Sequence, residues 1–331
     1  MAIFYLRGPK MATILVTGGA GFVGSHVVKL LGQKGYTPLT YDNLSVGSAE
    51  SVVTGQFIQG DLADKDALER VFATHPIEAV MHLAGSIDIR ESVSNPALYY
   101  ANNVVNTLNL LETMRKHGVK TLVFSSSAAI FGYPKTAKIS ESHPMEPISP
   151  YGRSKLYVEN ILSDFDAAYG IKSSALRYFN AAGGDPDGKV RNSKKKETNI
   201  IPLVLKSLLA PNGTITLFGT DYDTPDGTCV RDYIHVSDIA NAHLLALEQL
   251  RKNGISTHYN LGNGNGYSLR EVIKTAAEVT GKPVRVIEGP RRPGDPTLLI
   301  ADSTKAQKEL GWHPQYPSLK VIIADAWKAI A

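Results

Sequence analysis

The glycine-rich segment VTGGAGFVGSH limits the possible folds of this chain more than any other stretch. It follows the apolar run TILVT (Thr13–Thr17) and opens a helical pattern from residue 22 to about residue 34. It contains both the GxGxxG spacing and the shifted GxxGxxG spacing, the latter at Gly18, Gly21 and Gly24. Glycines between a strand and a helix permit a tight turn, close approach of a pyrophosphate, and close packing of the helix on the strand. The segment therefore predicts a dinucleotide site at a helix N-terminus.

The first half of the chain alternates β-rich apolar runs with helical stretches, including helices expected at residues 96–116 and Pro150–Tyr169. This alternation predicts an α/β fold with a Rossmann-type doubly wound parallel sheet. From residue 181 the pattern is irregular, with short strands such as TITLF and CVRDYIHV. We predict a dinucleotide-binding domain at residues 11–180 and a smaller α/β substrate lobe at residues 181–331. Some elements of residues 181–331 can instead pack on the main sheet.

Charge and cysteine content argue against several classes of function. A net charge of +4 is too small to indicate nucleic-acid binding, and the basic run KVRNSKKKETN (residues 189–199) is expected to be a solvated loop. The single cysteine, Cys229, allows no intramolecular disulfide, and no Cys/His spacing suggests a metal site. Apolar runs fall short of the roughly 20 residues that span a bilayer. We therefore expect a cytoplasmic protein with no nucleic-acid, membrane or metal partner.

The first ten residues, MAIFYLRGPK, precede a second methionine at the start of the patterned sequence. They lack the longer apolar region and small-residue cleavage site of a secretory signal. We expect residues 1–10 to be a disordered extension.

Asp42 ends the second predicted strand, eighteen residues beyond Gly24. A carboxylate there accepts hydrogen bonds from the adenosine ribose and repels an added 2′-phosphate, so NAD is favoured over NADP. The alternative role for Asp42 is a turn or helix cap. After the third strand, Asp61 and Leu62 are placed to contact the adenine, and Leu83 to Gly85 end the fourth strand beside the expected pyrophosphate.

The stretch SPYGRSK places Tyr151 and Lys155 four positions apart, on one face of a helix. A lysine there brings positive charge near the phenol and favours its ionised form. Lowering a tyrosine pKa from about 10 to about 7 needs roughly 4 kcal/mol of preferential phenolate stabilisation. Ser127 ends the strand before this helix, where its hydroxyl can contact a substrate hydroxyl. An incidental surface pair is the alternative that these residues alone leave open.

The ordered set of TGxxGxxG, a serine and YxxxK resembles the extended short-chain dehydrogenase/reductase family. Further segments resemble its branch of UDP-glucose 4-epimerases, namely YDNLS, ESVSNPALYYANNV, SSSAAIFG, SPYGRSKLYVE, LRYFNAAG, GTCVRDYIHVSDIA and YNLGNG. The resemblance covers residue 11 to the C-terminus. It implies an NAD-dependent isomerase that interconverts UDP-glucose and UDP-galactose through a 4-keto sugar, and a homodimer formed by the two long helices.

The resemblance assigns roles residue by residue. It implies that Tyr151 is the catalytic base, that Lys155 binds the nicotinamide ribose and lowers the pKa of the tyrosine, and that Ser127 hydrogen-bonds the sugar 4′-hydroxyl. The positions implied to line NAD are Gly18, Gly21, Phe22, Val23, Gly24, Asp42, Asn43, Asp61, Leu62, Leu83, Ala84, Gly85, Asn102, Ser125, Tyr151, Lys155 and Tyr178. The positions implied to hold the UDP-sugar are Ser127, Tyr151, Asn180, Asn199, Ile200, Leu217, Arg231, Arg292, Asp295 and Leu299.

Three departures from the family pattern bear on these roles. Ile87 replaces a lysine that reaches the pyrophosphate in some members, which predicts weaker cofactor retention. The basic segment at residues 189–201 replaces a loop that is usually more acidic. Leu299 replaces a tyrosine that several relatives place against the sugar C2 substituent, which predicts room for an N-acetyl group.

Other activities stay open on the sequence. The catalytic residues Ser127, Tyr151 and Lys155 also suit a 4-epimerase of UDP-N-acetylglucosamine/N-acetylgalactosamine, of UDP-glucuronate or of a UDP-pentose. A nucleotide-sugar dehydratase or reductase is less favoured, because Ala128 and Ala129 stand where dehydratases carry an Asp-Glu pair. A non-enzymatic NAD-binding module is disfavoured because the reactive tyrosine and lysine are both present.

Overall fold

The structure of this protein is a computed structural model that describes residues 12–191, 197–292 and 295–330. The predicted N-terminal extension and the centre of the basic loop lie outside the described residues. The described strands are β1 (Thr13–Thr17), β2 (Thr37–Asp42), β3 (Gln56–Gln59), β4 (Ile77–His82), β5 (Thr121–Ser127), β6 (Lys172–Tyr178), β7 (Asn180–Ala182), β8 (Thr214–Phe218), β9 (Val230–Arg231), β10 (Tyr233–His235), β11 (Thr257–Leu261), β12 (Tyr267–Ser268), β13 (Arg285–Gly289) and β14 (Leu298–Leu299).

The described α-helices are α1 (Phe22–Gln33), α2 (Lys65–Thr74), α3 (Ile89–Ser94), α4 (Pro96–Tyr100), α5 (Asn106–Lys116), α6 (Pro150–Tyr169), α7 (Ile200–Ser207), α8 (Val236–Asn253), α9 (Leu269–Thr280), α10 (Thr304–Leu310) and α11 (Leu319–Lys328). Among them, none is both long enough and apolar enough to cross a bilayer.

The central sheet has seven parallel strands in the order β11-β6-β5-β4-β1-β2-β3. Helices α1 and α8 pack on one face of it, and α2, α5 and α6 pack on the other. Strand β1 is buried along its whole length, as expected for a parallel strand covered on both faces. The doubly wound parallel sheet predicted from the sequence is confirmed.

The C-terminal half contributes to two places in the molecule. Strand β11 forms an edge of the main sheet beside β6, and α8 packs against α1. The rest forms a lobe in which β8 pairs with β13, β9 pairs with β12 and β14, and α7, α9 and α11 share an apolar core.

Two predicted elements are wrong in detail. The helix predicted at residues 96–116 is interrupted by a π turn at Ala101–Val105. This wide turn lets the buried Asn103 side chain bond the end of the loop after β4, at Ser86. The strand predicted from CVRDYIHV is split into β9 and β10, because Asp232 between them turns its carboxylate to three backbone N–H groups.

Candidate active site

A cleft of about 320 Å³ lies at the carboxyl ends of β1, β2, β4 and β5. That volume is within the range of small-molecule sites. It brings together most of the residues predicted from the sequence, with Asp42 and Tyr151 on one surface. The predicted residues that line it are Gly18, Gly21, Phe22, Val23, Gly24, Asp42, Asn43, Asp61, Leu62, Leu83, Ala84, Gly85, Asn102, Ser127, Tyr151, Tyr178, Asn180 and Asn199.

The glycine turn suits a dinucleotide phosphate because it lacks side chains at positions where its backbone packs closely on other backbone. Gly18 has φ of +73°, and a Cβ on it would lie 2.5 Å from the Ala84 nitrogen. A Cβ on Gly24 would lie 2.1 Å from the Gly18 carbonyl oxygen. Helix α1 starts directly after this turn, and no described side chain caps its N-terminus. Uncapped N–H groups and the helix dipole favour an anion at this point.

Asp42 has the turn role that the sequence left open, and its binding of a ribose stays a prediction. Its carboxylate accepts from the Ala20 N–H at 3.0 Å and from the Leu44 N–H at 2.8 Å, which fixes the glycine turn and the turn after β2. Burial raises the pKa of this carboxyl group. Each oxygen keeps lone pairs on the cleft side, since a carboxylate accepts about four hydrogen bonds. The arrangement suits the two hydroxyls of an adenosine ribose.

Helix α6 places the tyrosine and lysine by the way it begins. Ser149 caps it by accepting from the Gly152 N–H, and Pro150 occupies its first position, so Tyr151 lies in the first turn. The Lys155 ammonium donates to the Ser125 carbonyl at 2.9 Å and lies 4.9 Å from the centre of the Phe124 ring. Lys155 and Ser125 therefore lie behind the cleft surface that Tyr151 and Ser127 line.

In the protein by itself, burial raises the pKa of Tyr151, and only the hydrogen bond with Ser127 opposes it. Burial also lowers the pKa of Lys155 to about 8, although Glu159 opposes this. The expected lowering of the pKa of Tyr151 by Lys155 stays a prediction. A positive charge beside the phenol would oppose the effect of burial on this pKa.

A buried polar relay beneath the cleft was not predicted from the sequence. The Thr107 hydroxyl donates to the Asn103 carbonyl at 2.6 Å, so it accepts from His82 Nε2–H at 2.8 Å. His82 Nδ1 then accepts from the Thr17 hydroxyl at 2.7 Å. The Asn103 amide continues the relay by donating to the Ser154 hydroxyl at 2.9 Å, between Tyr151 and Lys155 in the chain. The only sequence signal was a histidine within the apolar run EAVMHLAG.

The relay connects the strand that precedes the glycine turn to the helix that carries the tyrosine. Its members Thr17, His82, Asn103, Thr107 and Ser154 are all buried. Burial lowers the pKa of His82 to about 3, with a smaller contribution from the Lys155 charge. The imidazole is therefore neutral and held in one tautomer, as a structural link rather than an acid or base.

The lobe presents a second group of predicted residues beside the cleft. The Arg231 guanidinium donates to the Pro296 carbonyl at 2.8 Å and lies 3.6 Å from Asp295. The Arg292 guanidinium stacks 3.8 Å from the Phe218 ring centre, next to Leu217. Asn199 precedes α7, which begins at Ile200. Leu299 pairs with Arg231 across β14 and β9 and packs on a small apolar cluster that includes Phe179.

Several residues that line the cleft were not predicted as site residues. Among the described residues, no lysine or arginine lines it, and Ile87 stands on its rim with 48% of its surface exposed. The additional lining residues are Tyr41, Ser45, Val46, Gly47, Gly60, Ser86, Ile87, Ile89, Asn106, Phe179 and Ala181.

Comparisons with known proteins agree with this geometry. Residues 14–262 match the model of the NAD dependent epimerase/dehydratase family. The chain is 48% identical to a UDP-glucose 4-epimerase of Halalkalibacterium halodurans over 95% of this chain and 94% of the relative. It resembles the crystal structure of the Brucella ovis UDP-glucose 4-epimerase in complex with NAD at a TM-score of 0.93, with 44% identity over 96% and 97% of the two chains. For the Bifidobacterium longum enzyme in complex with NAD+ and UDP, the TM-score is 0.91, with 40% identity over 96% and 98%.

We expect Thr107→Val to be more damaging than Thr113→Val. Both threonines are buried on α5 and donate to the carbonyl four residues earlier, but only Thr107 also accepts from a histidine. Thr107→Val leaves a buried imidazole N–H unpaired, at a cost of about 1–3 kcal/mol. Urea unfolding and titration with NAD should show lower stability and weaker binding for Thr107→Val. Equal effects of the two substitutions would show that the link to His82 is unimportant.

We expect the stability of the protein to fall as the pH drops from about 6.5 to about 4. Burial lowers the pKa to about 3 for His82 and to about 4 for His26, His235, His243 and His258. In this pH range these histidines are protonated in the unfolded chain but not in the folded chain. Proton binding therefore favours unfolding as the pH falls.

Buried acids oppose this effect, because burial raises the pKa of Asp42, Glu141, Asp232 and Asp238, that of Asp232 to about 6. We expect the five histidines to outweigh these four acids. Thermal unfolding midpoints measured between pH 7 and pH 4.5 should fall, and His258→Gln should reduce the slope. A midpoint that is independent of pH would contradict the neutral state of these histidines.

Proposed function

The chain belongs to the NAD dependent epimerase/dehydratase family, and we propose that it is an NAD-dependent 4-epimerase that interconverts UDP-glucose and UDP-galactose. One observation carries the proposal: the glycine turn with Asp42 and the pair Ser127 and Tyr151 line the same cleft. A cofactor held by the first group therefore reaches a sugar held by the second. The UDP-glucose 4-epimerase relatives, aligned over nearly the whole chain, support the same reaction.

NAD fits the residues of this site. The glycine turn and the N-terminus of α1 would hold its pyrophosphate, and Asp42 its adenosine ribose. Lys155, which lies behind the cleft surface next to Gly85, would reach its nicotinamide ribose. When bound, NAD supplies the oxidising and reducing capacity at the sugar C4, and its oxidised ring adds a positive charge. Together with Lys155, that charge would favour the phenolate form of Tyr151.

Tyr151 is the proton acceptor and donor in this proposal. Its phenolate removes the proton of the 4′-hydroxyl as C4 is oxidised, and Ser127 orients that hydroxyl through its own oxygen. The 4-keto sugar then turns about its bonds to the diphosphate and presents the opposite face. Tyr151 returns the proton to the new hydroxyl when C4 is reduced, so the configuration at C4 is inverted and no external oxidant is consumed.

Inversion requires a firmly held nucleotide and a loosely held sugar. Arg231 and Arg292 suit the nucleotide, because a guanidinium pairs well with phosphate oxygens. Asn180 and Asn199 line the cleft on the side of the lobe and can contact the sugar as it turns.

The substrate range extends to N-acetylated sugars in this proposal. Leu299 is smaller than the tyrosine of several relatives and packs on an apolar cluster rather than on a polar group. UDP-glucuronate and UDP-pentoses are the next candidates. Dehydration or simple reduction is less favoured, since Ala128 and Ala129 provide no acid to expel the C6 hydroxyl.

Cofactor retention is expected to be weaker than in relatives with a lysine at position 87. The described lining of the cleft has two carboxylates, Asp42 and Asp61, and no cationic side chain. We therefore expect bound NAD to dissociate during purification.

Proton NMR of the purified protein mixed with UDP-galactose tests the function, first without and then with added NAD. Equilibration with UDP-glucose supports it, and a requirement for added NAD supports weak retention. UDP-N-acetylgalactosamine in a parallel sample tests the C2 pocket. If UDP-galactose is unchanged even with NAD, the proposed substrate is wrong.

We expect Tyr151→Phe to lower turnover by several orders of magnitude, because the reaction loses its proton acceptor. NAD binding should persist, since the phenol oxygen is not part of the phosphate or adenosine site. Tyr169→Phe, at the exposed C-terminal end of the same helix, serves as the control. Near-normal turnover of Tyr151→Phe would remove Tyr151 from the mechanism.

A homodimer in the cytoplasm completes the proposal. Val93, Val105 and Tyr157 are 65%, 52% and 45% exposed, and they lie on α3, the π turn and α6, which pack against one another. Burying such side chains against a second copy is favourable. The single cysteine suits a reducing compartment.

We expect Val105→Asp to shift the protein toward a monomer, because it buries a charge in the proposed interface. Ile255→Asp is the matched control, since Ile255 is 59% exposed but follows α8 on the other face of the sheet. Sedimentation velocity distinguishes the two. An unchanged sedimentation coefficient for Val105→Asp would contradict this interface.

A further inference from the structure

Arg90 is a cation on the cofactor side of the molecule that faces the lobe. It lies on α3, which follows β4, and its side chain is exposed. Its guanidinium carbon is 6.0 Å from the centre of the Phe218 ring, and Phe218 ends β8 of the lobe. Arg90 therefore reaches across from one wall of the site to the other.

Two guanidinium groups share that ring. Arg292 stacks on Phe218 at 3.8 Å, and the Arg90 charge, after burial, is a cause of the lowered pKa of Arg292. Among the described residues neither group forms an ion pair with a carboxylate, and Nε of Arg292 is buried without a hydrogen-bond partner. Asp295 is the nearby carboxylate that partly offsets the charge of Arg292, and like charges held this close are stabilised further when an anion lies between them.

The neighbours of Arg90 indicate which anion this is. Ile87 and Ile89 line the cofactor cleft, whereas Arg90 and Phe218 do not. Arg90 therefore points away from the glycine turn and toward the arginines of the lobe. A diphosphate is the anion that several guanidinium forks recognise best.

We propose that Arg90 binds the diphosphate of the UDP-sugar from the cofactor side, as a third arginine opposite Arg231 and Arg292. This rests on the function proposed above, and it gives the nucleotide a contact from each wall of the site. The diphosphate is thereby fixed between the walls while the sugar beyond it stays free to turn. Uridine lacks this anion and gains nothing from Arg90.

Calorimetric titration of the NAD-loaded protein with UDP and with uridine tests this, using wild type, Arg90→Gln, Arg90→Lys and Arg115→Gln. Arg115 is the matched control, because it is another exposed arginine that lies over a ring, 5.3 Å from Tyr169, at the far end of α5. Arg90→Gln should weaken UDP about tenfold, the effect of one charged hydrogen-bonding contact. Arg90→Lys should recover part of the loss, since it keeps the charge but not the fork.

Uridine and NAD affinities should be equal in all four proteins, and Arg90→Gln should raise KM for UDP-galactose with little change in kcat. If Arg90→Gln binds UDP within twofold of wild type, Arg90 is a solvated residue at the rim of the site and the proposal is wrong. If Arg90→Gln loses affinity for NAD alone, Arg90 binds the cofactor pyrophosphate instead, and the proposal is also wrong. Failure of the proposed function is distinguishable, because it appears as absent UDP binding in the wild type.

Discussion

The backbone of the glycine turn packs directly against the end of β4, and the rest of the site depends on this contact. The Gly18 N–H donates to the Tyr41 carbonyl, and the Leu83 N–H donates to the Thr17 carbonyl, so the ends of β1, β2 and β4 meet at one point. A single Cβ at Gly18 would force these strand ends apart, since it would lie 2.5 Å from a backbone nitrogen. The cleft, the start of α1 and the position of Asp42 all follow from this packing.

A chain of buried hydrogen bonds connects the glycine turn to the side of the cleft that carries Tyr151. Burying a polar group is costly unless it is paired, so each relay member beneath the cleft requires the next one. His82 joins β1 to Thr107 of α5, which donates to the Asn103 carbonyl in the π turn. The Asn103 amide then joins the π turn to α6 through Ser154. The cofactor turn and the tyrosine helix are thereby held in one arrangement, although they are far apart in the chain.

Charge is divided between the two walls of the site. Apart from Arg90, the cofactor side presents backbone N–H groups and carboxylates, whereas the lobe side carries Arg231 and Arg292. A cofactor bound mainly by backbone dipoles and a substrate bound by guanidinium groups respond differently to ionic strength, because only the second involves mobile side-chain charges. Tyr151 lines the same cleft, and burial raises the pKa of its phenol in the protein by itself.

The sequence by itself determined the sheet, the glycine turn and helix α6. Helix α6 has the predicted bounds Pro150–Tyr169, because a serine cap, an N-terminal proline and a C-terminal glycine are local signals. The predicted helix at residues 96–116 was wrong at its centre, where the π turn is stabilised by Asn103 bonding to distant residues. No sequence pattern predicted the relay through His82 or the approach of Arg90 to Phe218, and α3, α7, α10 and α11 were not predicted either. Local propensity and residue spacing determined the strands, turns and helix ends, because these depend on residues that are close together in the chain. Only the tertiary structure decided which buried groups pair and which charges face each other, because those partners lie tens to hundreds of residues apart.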